Sequence, residues 1–294
     1  MSRSIRALGV FVQARTVRRL LVVVMLVVTI AGLGAGAAPT AQAASRWAPA
    51  ATATIHPGVQ TRTPAGQCTA NFVFYRGADV YLGQAAHCAG TGEVTDTNGC
   101  EAGSLPLGIP VTIQGATRPG TMVYSSWLAM QAEDQQNPDI CAYNDFALVR
   151  VDPADRARVN PTIPYWGGPT AINRTGLPAL ASVFTFGNSS LRQGLELLMP
   201  KSGISLGTEG GGWVHPTYTV TPGIPGDSGS AMVDGNGRAT GVLSTIGLVP
   251  LPAANYFADL SHVINFARSH GMGDVRLAVG TVGFNPNQLP LRLS

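Results

Sequence analysis

Gly226-Asp227-Ser228-Gly229-Ser230-Ala231-Met232-Val233-Asp234-Gly235-Asn236-Gly237-Arg238-Ala239-Thr240-Gly241-Val242-Leu243 is the stretch on which the fold turns. Two short apolar runs, 231–233 and 239–243, flank Asp-Gly-Asn-Gly, whose residues tolerate the positive φ that a tight antiparallel connection demands. The segment therefore reads as a hairpin, entered through a polar turn bounded by glycines. The same grammar recurs upstream. Phe72-Val73-Phe74-Tyr75 and Val80-Tyr81-Leu82 flank a turn at 76–79, and further strands are expected at Ile109–Ile113, Met122–Ser125, Phe146–Val151, Ala181–Phe186 and Tyr218–Val220.

The 36 glycines and 21 prolines are scattered, as many short strands joined by turns require. One helix stands out near the end. Asp259 can cap it, Leu260, Val263, Ile264 and Ala267 fall on one face, and Gly271 can close it. Beyond it, Val275–Val282 is a possible strand ahead of a proline-containing tail. No repeat of constant period is present.

Arg3, Arg6, Arg15, Arg18 and Arg19 precede an apolar run from Leu20 to about Ala38, followed by Ala41-Gln42-Ala43. This reads as a signal peptide over 1–43 with the mature chain starting at Ala44. An uncleaved anchor is the competing reading, because the run approaches the roughly 20 residues that span a bilayer; Gly32, Gly34 and Gly36 weaken it. Arg18-Arg19 leaves the export route open between the general and twin-arginine systems. Without the leader, 14 basic residues face 16 acidic ones, a net charge of −2. A near-neutral surface without a basic stripe argues against nucleic acid or an anionic membrane as partner. Lys201 is the only lysine.

Residues 44–66, rich in Ala, Thr and Pro, read as an extended segment too short to fold alone. Residues 67–294 then form one large all-β domain or two smaller barrels. Cys68, Cys88, Cys100 and Cys141 all lie in the exported part, where two disulfides are the default, each worth about 3 kcal/mol. Three pairings are open. A zinc site using His87 and these thiols is the alternative, disfavoured because no Cys-x-x-Cys pair occurs.

Three segments carry the chemistry: Gln84-Ala85-Ala86-His87-Cys88, Asn144-Asp145-Phe146-Ala147-Leu148-Val149 and Gly226-Asp227-Ser228-Gly229-Ser230. A serine hydroxyl is a poor nucleophile and needs a base within hydrogen-bond reach; the base needs a carboxylate to hold its far nitrogen protonated. Gly-Asp-Ser-Gly alone is ordinary turn sequence. All three segments in the order His, Asp, Ser are not ordinary. Over about Cys68 to Leu243 the chain resembles the chymotrypsin-like serine proteases.

That resemblance implies two six-stranded antiparallel β-barrels with a C-terminal helix and a boundary near 160–175. It implies His87 as general base, Asp145 as its orienting carboxylate and Ser228 as nucleophile. The backbone N–H groups of Gly226 and Ser228 become the oxyanion donors. It pairs Cys68 with Cys88, closing the loop behind the base, and Cys100 with Cys141. The activity implied is that of a secreted, monomeric endopeptidase acting on polypeptides, without metal or cofactor. A fold relative with a silent, collapsed site that only binds is the alternative, and an esterase on the same fold a third.

Two departures matter. The Ile-Val-Gly-Gly terminus that pairs with the carboxylate before the nucleophile in animal members is missing, so an arginine of the mature domain is expected to pair with Asp227. Position 230 is Ser, which also breaks Gly-x-Ser-x-Gly and with the segment order argues against an α/β-hydrolase. In the substrate pocket, the resemblance puts Pro222 and Gly223 at the floor, neither able to neutralise a charged side chain. Gly241–Ile246 becomes a wall, with Ser244 near Asp145, then Thr245, then Ile246 narrowing the opening. Small or medium aliphatic residues before the scissile bond follow. His56, His215, His262 and His270 match no motif and are expected to be surface or locally hydrogen-bonded, and Asp152 and Asp155 solvated or capping. Asn173-Arg174-Thr175 and Asn188-Ser189-Ser190 fit the glycosylation pattern.

Overall fold

The structure, a computed structural model, describes residues 46–288 apart from 94, 248 and 249. The expected leader, 1–43, lies outside the described residues. From Arg46 onward the chain forms one compact unit.

Seven strands build the first half: β1 (Gln60–Thr63), β2 (Gly66–Thr69), β3 (Val73–Arg76), β4 (Asp79–Gln84), β5 (Pro110–Ile113), β6 (Gly120–Ser125) and β7 (Ala147–Arg150). They pair antiparallel in the order β3-β4-β7-β6-β5-β1-β2. β2 and β3 are the two halves of one bent strand. Ala70 N–H bonds the Val59 carbonyl on one side, and Asn71 N–H bonds the Gly83 carbonyl on the other. The two ends of the sheet thus meet through three residues, and six strands wrap round a core.

Period two then sorts the side chains. Val73, Val80, Leu82 and Val149 join Val111, Ile113 and Met122 inside this first barrel. Their neighbours Phe72, Phe74, Tyr81, Phe146 and Leu148 face the other way, into a second core shared with Val233, Val242, Ala258 and Val263. Each fully buried aliphatic side chain of this kind contributes about 1.5–3 kcal/mol. One set of strands therefore fills a barrel and cements it to its neighbour.

That neighbour is a closed six-stranded barrel of β8 (Ser182–Phe186), β9 (Pro200–Ser205), β10 (Val214–Thr219), β11 (Ala231–Asp234), β12 (Ala239–Ile246) and β13 (Asn255–Asp259), in the order β10-β13-β12-β11-β8-β9. The hairpin quoted above is β11–β12. The Asp234 carboxylate accepts from Asn236 N–H at 2.9 Å and Arg238 N–H at 3.0 Å, which fixes the turn. The C-terminal helix spans Leu260–Ala267, with Asp259 accepting from His262 N–H at 2.8 Å and Leu260, Val263, Ile264 and Ala267 buried. Gly271, at φ +99°, lies past its end.

The all-β architecture with its terminal helix is as the resemblance implied. Three local expectations change. Residues 44–66 were expected to precede the domain, but Ile55 and Val59 are buried in the first barrel and β1 pairs with β2 and β5. Apolar spacing there is too sparse to announce a strand. The strand expected over 275–282 shrinks to β14 (Arg276–Leu277), an added edge on β3, after which Gly280 and Asn285 bond Pro169 and Trp166. Two short helices, Ser126–Ala132 and Pro138–Tyr143, escaped notice because each is under two turns.

Both disulfides form as the resemblance implied, Cys68–Cys88 and Cys100–Cys141, and the thiols a zinc site would need are consumed. The second closes a separation of 41 residues. Replacing Cys100 and Cys141 together by Ser is expected to lower unfolding stability by about 4 kcal/mol, the chain-entropy value for such a loop, while leaving the fold intact. Urea denaturation of parent and double variant measures it.

Candidate active site

His87 sits on a 3₁₀ turn, Ala86–Ala89, that begins as β4 ends. Asp145 lies two residues before β7. β4 and β7 are neighbours with Gln84 opposite Ala147, so the antiparallel register brings both residues to one end of the barrel. His87 N–H reaches one carboxylate oxygen at 2.9 Å and Nδ1 reaches the other at 2.6 Å. A carboxylate only accepts, so Nδ1 carries the proton and Nε2 is left as the basic nitrogen. Asp145 is buried while the imidazole stays 28% exposed.

The carboxylate is held from below as well. Phe146 N–H donates to Ser126 Oγ, which donates to the Asn144 carbonyl at 2.6 Å, fixing the backbone on both sides of Asp145. From the second barrel, Ser244 Oγ donates to the oxygen that faces the imidazole, at 2.7 Å. A bulge in the β12–β13 ladder, between Leu243 and Thr245, puts Ser244 out of step with its strand. Bulges re-aim side chains in this way.

These contacts set the titration. Burial alone would raise the Asp145 carboxyl, but the His87 charge and the hydrogen bonds from His87 and Ser244 hold it below the ordinary aspartate range. Burial pulls the His87 imidazole down, and the Asp145 charge and hydrogen bond overcome it, leaving it above the ordinary histidine value.

Ser228 stands on the turn that leads into β11. Its carbonyl accepts from Thr69 N–H at 2.8 Å, and Gly229 N–H donates to the Leu243 carbonyl at 2.7 Å. Gly229 has φ +85°, and a Cβ there would lie 2.6 Å from the Thr69 carbonyl oxygen and 2.9 Å from Ala85 N. Only glycine lets the turn press against Ala85, two residues before His87. The structure thus sets the Ser228 turn against β2, against β12, which carries Ser244, and against Ala85 in the segment leading to His87. Among the described residues no hydrogen bond joins Ser228 Oγ to His87 Nε2. Such bonds are often long before substrate binds.

Gly226 has φ +94°, a backbone conformation that favours glycine. Among the described residues, neither its N–H nor that of Ser228 has a protein acceptor, while the intervening Asp227 N–H bonds the Ile224 carbonyl. Two donors on one turn are left for a ligand.

Asp227 is fully buried and pairs with Arg192 at 2.5 Å, the arginine the sequence reading called for, and also with Lys201 at 2.9 Å. The lysine was missed; as the single lysine of the chain, buried on a strand, it was the available signal. Burial would raise the Asp227 carboxyl, and Lys201 and then Arg192 bring it below its ordinary range. Lys201 is itself pulled down, first by burial and also by Arg192.

At the proposed pocket, Gly223 is buried, and its N–H donates to Asn255 Oδ1 at 2.7 Å. A Cβ on Gly223 would lie 3.5 Å from the Ile246 side chain. Pro222 is exposed, so the sequence-based placement of its ring at a pocket floor does not fit its burial, while Gly223 next to it is enclosed. Thr245 and Ile246 are half-buried beside it. Asn255 was not singled out by sequence because a lone Asn in a turn-rich stretch carries no motif. Its carboxamide also donates to Thr219 Oγ at 2.8 Å.

The remaining histidines are locally bonded: His56 to the Pro57 carbonyl, His215 and His262 to Asp259, His270 to Glu133. Asp152 caps a 3₁₀ turn and Asp155 anchors Thr117 and Arg118. Asn173 and Asn188 are buried, so neither glycosylation pattern presents its amide to an enzyme.

No protein-family model matches the chain, and no curated protein matches it. Among solved structures, Thermobifida fusca Protease A is similar at 16% identity and a TM-score of 0.48, over 77% of this chain and 99% of that one. A Glu endopeptidase is similar at 16% identity and 0.49, over 77% and 93%. Cellulomonas bogoriensis chymotrypsin is similar at 19% and 0.45, over 76% and 98%. At these identities and TM-scores the likeness carries no activity over to this chain.

Asp227 faces two cations, so the partners are not equivalent. Asp227→Asn strands both cations in the interior and is expected to cost about 3–5 kcal/mol. Lys201→Met keeps one carboxylate against one guanidinium and should stay within about 1 kcal/mol of the parent, by the same desolvation argument. Denaturant unfolding of the two variants checks this; equal losses would contradict it.

Proposed function

We propose that this chain is a secreted serine endopeptidase of the chymotrypsin type. The observation that carries the reading is the imidazole held by Asp145 at 2.6 Å, beside a turn on which the N–H groups of Gly226 and of the nucleophile Ser228 have no acceptor among the described residues. His87 Nε2 takes the proton of Ser228 Oγ as the oxygen attacks the scissile carbonyl, and Asp145 stabilises the imidazolium that forms. The N–H groups of Gly226 and Ser228 receive the charge on the carbonyl oxygen. The imidazolium then gives its proton to the leaving amine, and water repeats the cycle on the acyl-enzyme. None of these steps calls for a metal or cofactor.

The polypeptide enters against Gly223 and Ile246, with small or medium aliphatic residues preferred before the cut. The two disulfides and the leader support export, with the enzyme acting as a monomer. Among the described residues no helix is long and apolar enough to cross a membrane. The unmade bond between Ser228 and His87 favours a second reading, a binding protein with a silent site.

Two tests separate them. An organophosphonate should label Ser228, and Ser228→Ala should lose about 10⁴-fold or more in peptide cleavage with its fold intact. Cleavage of a mixed peptide library should fall after small aliphatic residues. No labelling would leave the binding reading standing.

The pH dependence follows from the dyad. His87 must be neutral to accept a proton, so kcat/KM should rise with pH through an inflection above the ~6.5 of a free histidine. Asp145→Asn removes the charge that raises it and should move the inflection down, with kcat falling roughly 10⁴-fold. The stability supplied by the raised imidazole is full below about pH 6.5 and lost as pH climbs through the folded value. pH-rate profiles and pH-dependent unfolding measure both.

A further inference from the structure

The Gly226 N–H can serve an oxyanion only if the peptide between Pro225 and Gly226 faces the right way. Each peptide is planar and trans, so its N–H and carbonyl point in opposite directions. A group that holds the Pro225 carbonyl therefore aims the Gly226 N–H. Glycine at φ +94° has little steric preference of its own, so the turn needs such a group.

Ser189 is that group. It is buried at 1% exposure, and its Oγ donates to the Pro225 carbonyl at 2.5 Å while accepting from Leu191 N–H at 3.1 Å. Its own N–H donates to Asp227 at 3.1 Å. The next carbonyl, that of Gly226, is held separately by Thr69 Oγ at 2.8 Å and Gln67 Nε2 at 3.0 Å, and Gln67 Oε1 accepts from Ser190 N–H at 2.9 Å. Every carbonyl from Ile224 to Gly226 is thus engaged, and of the N–H groups from Ile224 to Ser228 those of Gly226 and Ser228 alone have no acceptor among the described residues. We propose that Ser189 is a positioning residue whose hydroxyl, by holding the Pro225 carbonyl, keeps the Gly226 N–H turned toward the oxyanion; this rests on Ser228 being the nucleophile.

The side chain acts through the peptide and touches no substrate. Losing the hydroxyl frees the Pro225 carbonyl to rotate, which swaps a donor for an acceptor at the anion site. Transition-state binding should suffer and ground-state binding should not.

The test compares Ser189→Ala and Ser189→Thr with the parent, per titrated active site. Ser189→Ala should lower kcat about 10- to 100-fold with KM near that of the parent, the scale of a lost oxyanion donor. Affinity for a peptide aldehyde, which forms the tetrahedral adduct, should fall by a similar factor, while affinity for the matching product peptide holds. Ser189→Thr, which keeps the hydroxyl, should restore all of these.

Crystal structures of parent and Ser189→Ala should show the Pro225 carbonyl rotated in the variant. If kcat and aldehyde affinity stay within about 2-fold of the parent, the inference is wrong. It is equally wrong if aldehyde and product affinities fall together, or if the peptide keeps its orientation. A parent inert to organophosphonate would defeat the protease reading alone, and the two crystal structures would still decide the role of Ser189. Should Ser189→Ala not fold, Ser189→Cys, similar in volume with a weak donor, is read the same way.

Discussion

The Asp145 carboxylate is the point at which this structure becomes a site rather than two packed barrels. Its two oxygens take a backbone N–H and a ring N–H from His87 and a hydroxyl from Ser244. Those donors come from the turn after β4 and from a bulge in β12, and Asp145 itself precedes β7. One buried anion thus fixes the seam between the barrels. A buried carboxylate with so many donors stays ionised because each hydrogen bond favours the charged form against the cost of burial.

Three buried aspartates solve the same problem for different ends. Asp145 settles its charge with a histidine whose ring stays partly exposed and whose second nitrogen is free to take a proton. Asp227 settles its own with two permanent or near-permanent cations, so the turn before Ser228 is braced without a chain terminus. Asp259 caps the final helix through His262 N–H and binds His215 on β10. Asp145 and Asp227 differ in the partner each was given: one faces a side chain that can exchange a proton, the other two cations that hold the turn.

Much of this was readable along the chain. The β11–β12 hairpin was legible because Asp-Gly-Asn-Gly admits few other conformations, and the last helix because a cap, a 3-4 apolar spacing and a terminal glycine agree. His87, Asp145 and Ser228 stood in short segments whose order resembled a known family, and the same resemblance led to both disulfides. β1, β9 and the two short helices were not legible. Lys201 and Ser202 interrupt β9, and β1 is Gln-Thr-Arg-Thr, so neither offers the apolar alternation that marks a strand.

What the sequence determined by itself were the local choices: turns, caps, the alternation that divides one core from another, and which residue types could do acyl-transfer chemistry. Only the tertiary structure decided which groups meet. Gln67, Ser189, Arg192, Lys201 and Asn255 carry no motif, since each acts through a hydrogen bond or ion pair to a residue tens of positions away. The physical reason is that side-chain chemistry and backbone preference are local, whereas desolvation and hydrogen-bond partnership exist only once distant segments have been brought into contact.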